Sequence, residues 1–212
     1  MRNKLNMRNI MLNIRNKRLA ILTLIALAAV ATIALADVIF VYTGTVNVKP
    51  MSTSPLVFAT GPNAGPTNTA AEPFINFTGT NSGFTVSLVI TNSSAVYYYE
   101  AGQLTVNTAG YLYVTGVSSS GTAAVSSMTI YIAPQASPNN PTCTIVLTYS
   151  TTSSSWTWTV NGASTGTCSL GSGTYYIHLY VSPNLPVTSS STESITVNFG
   201  YNTVSGTAIP IP

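Results

Sequence analysis

The sequence predicts an all-β domain, an immunoglobulin-like or jelly-roll β-sandwich of about ten strands, preceded by an N-terminal apolar helical segment. Three observations carry this. Of the 212 − 36 = 176 residues beyond position 36, 55 are Ser or Thr, and all 12 Tyr and six Phe lie in the same part, a composition that favours strands over helices. Apolar residues recur there at period two, as in Phe84, Val86, Leu88, Ile90; Met128, Ile130, Ile132; Ile145, Leu147, Tyr149; Trp156, Trp158, Val160; Tyr175, Ile177, Leu179, Val181; and Ile195, Val197, Phe199, Tyr201. Turn-forming clusters such as TGTNSG, NTAG, SPNNP, GASTG and SPNLP divide these runs at hairpin spacing.

The first 36 residues differ in kind. Arg2, Lys4, Arg8, Arg15, Lys17 and Arg18 precede an uncharged run from Leu19 to Leu35, and Ala34-Leu35-Ala36 supplies a small-x-small site. A basic stretch, an apolar stretch and such a site read as a secretory signal, residues 1–36, cut between Ala36 and Asp37. The apolar run spans 17 residues, so an uncleaved membrane anchor is the competing reading. Removing the signal leaves Lys49 against Asp37, Glu72, Glu100 and Glu193, a net charge of 1 − 4 = −3, which removes the case for nucleic-acid binding. With so few titrating groups the folded chain is expected to respond little to pH.

The next segment, 37–49, places Val38, Phe40, Tyr42, Gly44, Val46 and Val48 on one face of an extended strand. Such a strand either pairs within its own domain or fills an apolar groove of a neighbour, where backbone hydrogen bonds supply affinity and alternate side chains supply register. Burying its five large apolar side chains offers roughly 8 to 15 kcal/mol before ordering costs. Residues 50–71, rich in Pro, Gly, Asn and Thr, read as a linker holding one small strand, and 72–212 as the β-sandwich. The serine and threonine clusters at 118–120, 151–155 and 188–192 read as exposed loops.

A signal ending in Ala34-Leu35-Ala36, an alternating strand from Asp37 to Lys49 and a Ser/Thr/Tyr-rich, charge-poor β-domain together resemble the archaeal extracellular threads and bundling pili, related in design to the bacterial biofilm-matrix fibre protein TasA. The resemblance implies a non-catalytic subunit on the cell surface or outside the cell, joined head-to-tail to identical subunits by donor-strand complementation. In that case Val38, Phe40, Tyr42, Val46 and Val48 are the inserted side chains, and the membrane is met only through the signal or anchor. Two alternatives differ from it: a type IV pilin-like subunit that keeps the apolar helix, and a monomeric surface or carbohydrate-binding protein.

Other candidate sites are sparse. Asn76-Phe77-Thr78 and Asn92-Ser93-Ser94 are N-glycosylation sequons. Cys143 and Cys168 form an even pair in an exported chain, so a disulfide is expected. His178 shares a strand face with Tyr176 and Tyr180 and, lacking a ligand partner at suitable spacing, reads as a surface residue rather than a metal ligand. No paired carboxylates or nucleophile motif suggest an enzyme, and no cofactor or metal is expected. N-terminal sequencing of the exported protein should return Asp37; Leu19 would instead support the pilin-like alternative.

Overall fold

The computed structural model describes residues 16–27, 44–47 and 53–203. The chain divides into two units, Met1–Lys49 and Pro50–Pro212. In the first, residues 16–27 form a helix, α1, whose Leu19, Leu22, Leu24 and Leu27 are exposed. No helix among the described residues is long and apolar enough to cross a membrane. Residues 44–47 are irregular and exposed, Val46 at 85%. The expected cleavage site at Ala36 and Asp37, and Val38, Phe40, Tyr42 and Val48, lie outside the described residues.

The second unit is mostly β, with eleven strands among its described residues: β1 (Leu56–Thr60), β2 (Ile75–Gly79), β3 (Phe84–Leu88), β4 (Val96–Val106), β5 (Gly110–Gly121), β6 (Val125–Pro134), β7 (Cys143–Ser150), β8 (Ser155–Val160), β9 (Cys168–Leu170), β10 (Gly173–Pro183) and β11 (Glu193–Asn202). They form a six-stranded sheet in the order β1-β4-β10-β6-β7-β8, a three-stranded sheet β11-β5-β9 and a two-stranded sheet β2-β3. Neighbouring strands are antiparallel throughout. One apolar cluster draws on all three sheets, with Leu104, Ile130 and Leu179 from the first, Leu112 and Leu170 from the second and Phe77 from the third. Alternation explains the choice of faces: in β7 every second residue, Cys143, Ile145 and Leu147, is fully buried, while those between are not.

One part of the sequence reading needs correction, and another gains detail. The small strand expected within residues 50–71 is β1, whose Leu56 and Phe58 are buried and which pairs along its full length with β4. The Gly, Pro and Asn residues after it are also built in: Gly61 N donates to the Ala101 carbonyl and Gly65 N to the Ile75 carbonyl. Two buried side chains on a five-residue strand suffice to dock it. The reading that needs correction is the serine cluster 118–120, which is no loop. It extends β5, with Ser118, Ser119 and Ser120 opposite Thr196, Ile195 and Ser194, because a strand exposed on one side tolerates hydroxyl side chains while its backbone pairs.

The strand β4 carries the main irregularity. Ile177 and Leu179 of β10 face Gly102 and Tyr98, so Tyr99, Glu100 and Ala101 stand opposite His178 alone. Glu100 takes a left-handed φ of 51°, as bulges often require. The bulge turns Gly102 under the Phe77 ring, where an added Cβ would lie 2.3 Å from a ring carbon. A side chain there would push β2 away from β4.

Cys143 of β7 and Cys168 of β9 are bonded, with Cα atoms 5.3 Å apart, joining the six-stranded to the three-stranded sheet. The bridge spans 25 residues, a loop worth about 3.5 kcal/mol in the chain-entropy model. The Cys143→Ala/Cys168→Ala variant should lose about that much in denaturant unfolding; an unchanged midpoint would contradict this.

Candidate functional site

The feature that stands out is a gap between two strand edges. Among the described residues β11 pairs with β5 on one side only, and β3 only with β2. Among the described residues no ladder joins β3 to β11. Between them lies a groove of about 1190 Å³. Its walls are Phe84, Val86 and Leu88 of β3 and Ile195, Val197 and Phe199 of β11; its floor includes Phe58, Met128, Ile130 and Leu179 of the six-stranded sheet.

The wall residues are apolar at every second position, yet only partly buried, even as they pack on the core. The floor residues Phe58, Met128, Ile130 and Leu179 are buried. Each wall strand therefore covers the core with one face and leaves a shoulder of apolar surface and a row of backbone N–H and C=O groups turned toward the gap. An unpaired edge of this kind is a template for another strand.

The two edges run in opposite directions. At one end of β11, the Glu193 carboxylate accepts from Ala124 and Val125 N–H through Oε2, at 2.9 and 3.0 Å; at the other, the Tyr201 hydroxyl donates to the Thr108 carbonyl at 2.6 Å. Thr108 follows the C-terminal end of β4, and Val125 lies opposite Pro183, near the N-terminal end of β4. For β3 the order is reversed. Its leading turn sits beside β1, with Phe58 N donating to the Thr80 carbonyl, while Val89 just past it accepts from the Tyr98 hydroxyl of β4. A strand filling the gap would thus run parallel to one wall and antiparallel to the other.

The other candidate residues lie elsewhere. Asn76 is half-buried within β2, opposite Ser87, whereas Asn92 is exposed after β3, its Oδ1 accepting from Val187 N at 2.6 Å. Both sequons therefore adjoin the hairpin that forms one wall.

His178, expected at the surface, is 1% exposed. The bulge in β4 covers it: Glu100 N donates to Nδ1 at 2.8 Å, and the Tyr99 and Tyr97 rings stack at 4.7 and 6.2 Å. Period-two reasoning placed it correctly on the Tyr176 and Tyr180 face but had no sign that a bulge would fold over it. Trp156 is buried, with its indole N–H donating to Ser119 Oγ at 2.9 Å, while Tyr97 is exposed. Among the described residues no cluster of His, Cys, Asp or Glu is disposed to hold a metal ion. The groove walls were visible as alternating runs; that both strands would end as facing edges had no sequence signal.

No protein-family model matches the chain, and no curated protein is significantly similar to it.

Burial pushes the His178 imidazole below its ordinary pKa of 6.5, against a smaller upward pull from the Glu100 carboxylate and the Pro138 carbonyl. Above the unfolded value the ring is neutral in both states. As pH falls through that value the unfolded chain binds the proton first, so stability falls on acidification until the lowered folded pKa is passed. This revises the expected indifference to pH. Denaturant unfolding should give lower stability at about pH 5 than at about pH 7.5, and His178→Gln should flatten that difference; an equal pH response in the variant would contradict the assignment.

Proposed function

We propose that the protein is a structural subunit of an extracellular filament, in which the N-terminal strand of one subunit fills the β3–β11 groove of the next. On this reading the six-stranded sheet and the two smaller sheets are the layers of an immunoglobulin-like β-sandwich that lacks one strand. The observation that carries the proposal is the conjunction of two free, facing strand edges with a half-buried apolar lining. The sequence supplies a segment of matching character in residues 37–49, alternating and apolar on one face.

Energetics supports the pairing. An inserted strand satisfies backbone groups of both edges and covers the exposed shoulders of six wall side chains, while its own alternate residues leave water. Contact between a segment of one subunit and a groove of the next is heterologous, so repetition gives a filament unless the rotation closes a ring. The low charge of the chain, four acids against one base after residue 36, limits repulsion between subunits. The disulfide suits an oxidising compartment outside the cytoplasm. Glycans at Asn76 or Asn92 would decorate the outer surface of a fibre serving adhesion or a biofilm.

Deleting residues 37–49 should leave soluble, destabilised monomers. Added peptide of that sequence should restore stability, by about 2.7 kcal/mol at a hundredfold excess over its Kd. Stable monomers indifferent to the peptide would overturn the proposal.

A further inference from the structure

The groove is closed at one level along its length. Phe84 and Phe199 reach across from opposite walls with ring centroids 6.1 Å apart, and Phe84 is braced from behind by Phe77 at 4.9 Å and Phe58 at 5.3 Å. Rings at that separation are in contact, so a strand passing above them can bring no side chain down between them. Stepping by two along the opposed edges, three further levels lie on the Glu193 side: Val86 with Val197, Leu88 with Ile195, and Ile90 with Glu193. On the other side of the aromatic pair Tyr201 lines the groove.

Resting on the proposed function, we infer that residues 37–49 of the neighbouring subunit enter antiparallel to β3 and parallel to β11, with Gly44 over the Phe84–Phe199 contact. Gly44 is the one position on the apolar face of that segment without a side chain. Three apolar residues precede it on that face, matching the three open levels. Tyr42 then falls between Val86 and Val197, the pair with the smallest side chains. Phe40 falls between Leu88 and Ile195, Val38 between Ile90 and Glu193, and Val46 beside Tyr201.

The opposite direction fits worse. With Gly44 held at the same level it places Val46 and Val48 at the first two levels and Pro50 at the third, where proline has no N–H for the ladder. It also carries Phe40 and Val38 past the end of the groove. Gly44 thus sets where the strand stops sliding, and the count of side chains before it sets the direction. A slip by two residues would drive Tyr42 or Val46 onto the two rings.

Cysteine pairs in the full chain test this register. Aligning Gly44 with Phe84 sets Thr43 opposite Thr85 on the outward face, where Thr85 and Ser87 are exposed; the native cysteines are buried and already bonded. Mild oxidation of the Thr43→Cys/Thr85→Cys chain should yield a disulfide-linked ladder of oligomers on a non-reducing gel. It should exceed the yield from Thr43→Cys/Ser87→Cys by about tenfold, since that pair is displaced beyond good bridging distance. A stronger ladder from the Ser87 pair would overturn the register while leaving strand exchange intact. Monomers only, from both pairs, would overturn strand exchange itself. A Thr43–Thr85 bridge within one chain would assign the segment to its own subunit and overturn the neighbour. As a second measure, Gly44→Val should abolish filaments in electron micrographs while Thr45→Val retains them; filaments from both would contradict the role of Gly44.

Discussion

A β-strand edge that faces another edge across an apolar floor is the constraint on which the rest of this molecule turns. Backbone donors and acceptors in such a position need partners, and the lining of β3 and β11 is too apolar to rest against water without cost. Other parts of the second unit are tied to one another internally. β1 pairs along its length with β4, the β7–β9 disulfide ties two sheets together, and Trp156 of β8 donates to Ser119 of β5. Among the described residues no strand lies between β3 and β11. The floor under that gap, from Phe58 through Met128 and Ile130 to Leu179, belongs to the same continuous core as the rest of the domain, so the gap is a local omission from an otherwise complete packing.

On the proposed reading, that gap gives the chain's odd composition a physical cause. A subunit that held its neighbour through backbone ladders and interdigitated side chains would have little use for surface charge, and six of the seven basic residues precede residue 19. Hydroxyl side chains keep the outer faces wet without adding charge, as along the exposed end of β5 at Ser118–Ser120. The bulge at Glu100 adds a second specialised feature, burying His178 beneath Tyr97 and Tyr99 and bending β4 so that Gly102 accepts the Phe77 ring. Since Phe77 in turn stacks on Phe84, the bulge supports the wall of the groove from behind.

Much of this architecture was readable from residue order alone. Strands β3, β6, β7, β8, β10 and β11 all coincide with clean period-two runs, because each turns one face toward the core. The disulfide followed from the number and setting of two cysteines. Strands that escaped notice had local reasons to do so: β4 breaks its period at the Glu100 bulge and β5 ends in serines, whereas β1 was legible as one small strand in a Pro- and Gly-rich tract. His178 was misplaced because a bulge inverts burial without altering alternation. The groove was hidden for a deeper reason. Whether a strand is paired on both sides depends on long-range topology, and neither Phe84–Leu88 nor Ile195–Tyr201 carries a mark that distinguishes an edge from an interior strand.

Hydrogen exchange of the assembled protein against dissociated monomer tests the central claim most directly, since it reads both edges at once. The account predicts that amides of β3 and of β11 pointing into the gap gain protection together on assembly, while the interior strands β6 and β10 change little. Assembly that leaves both edges as exchangeable as in the monomer, or protects only one of them, would contradict it.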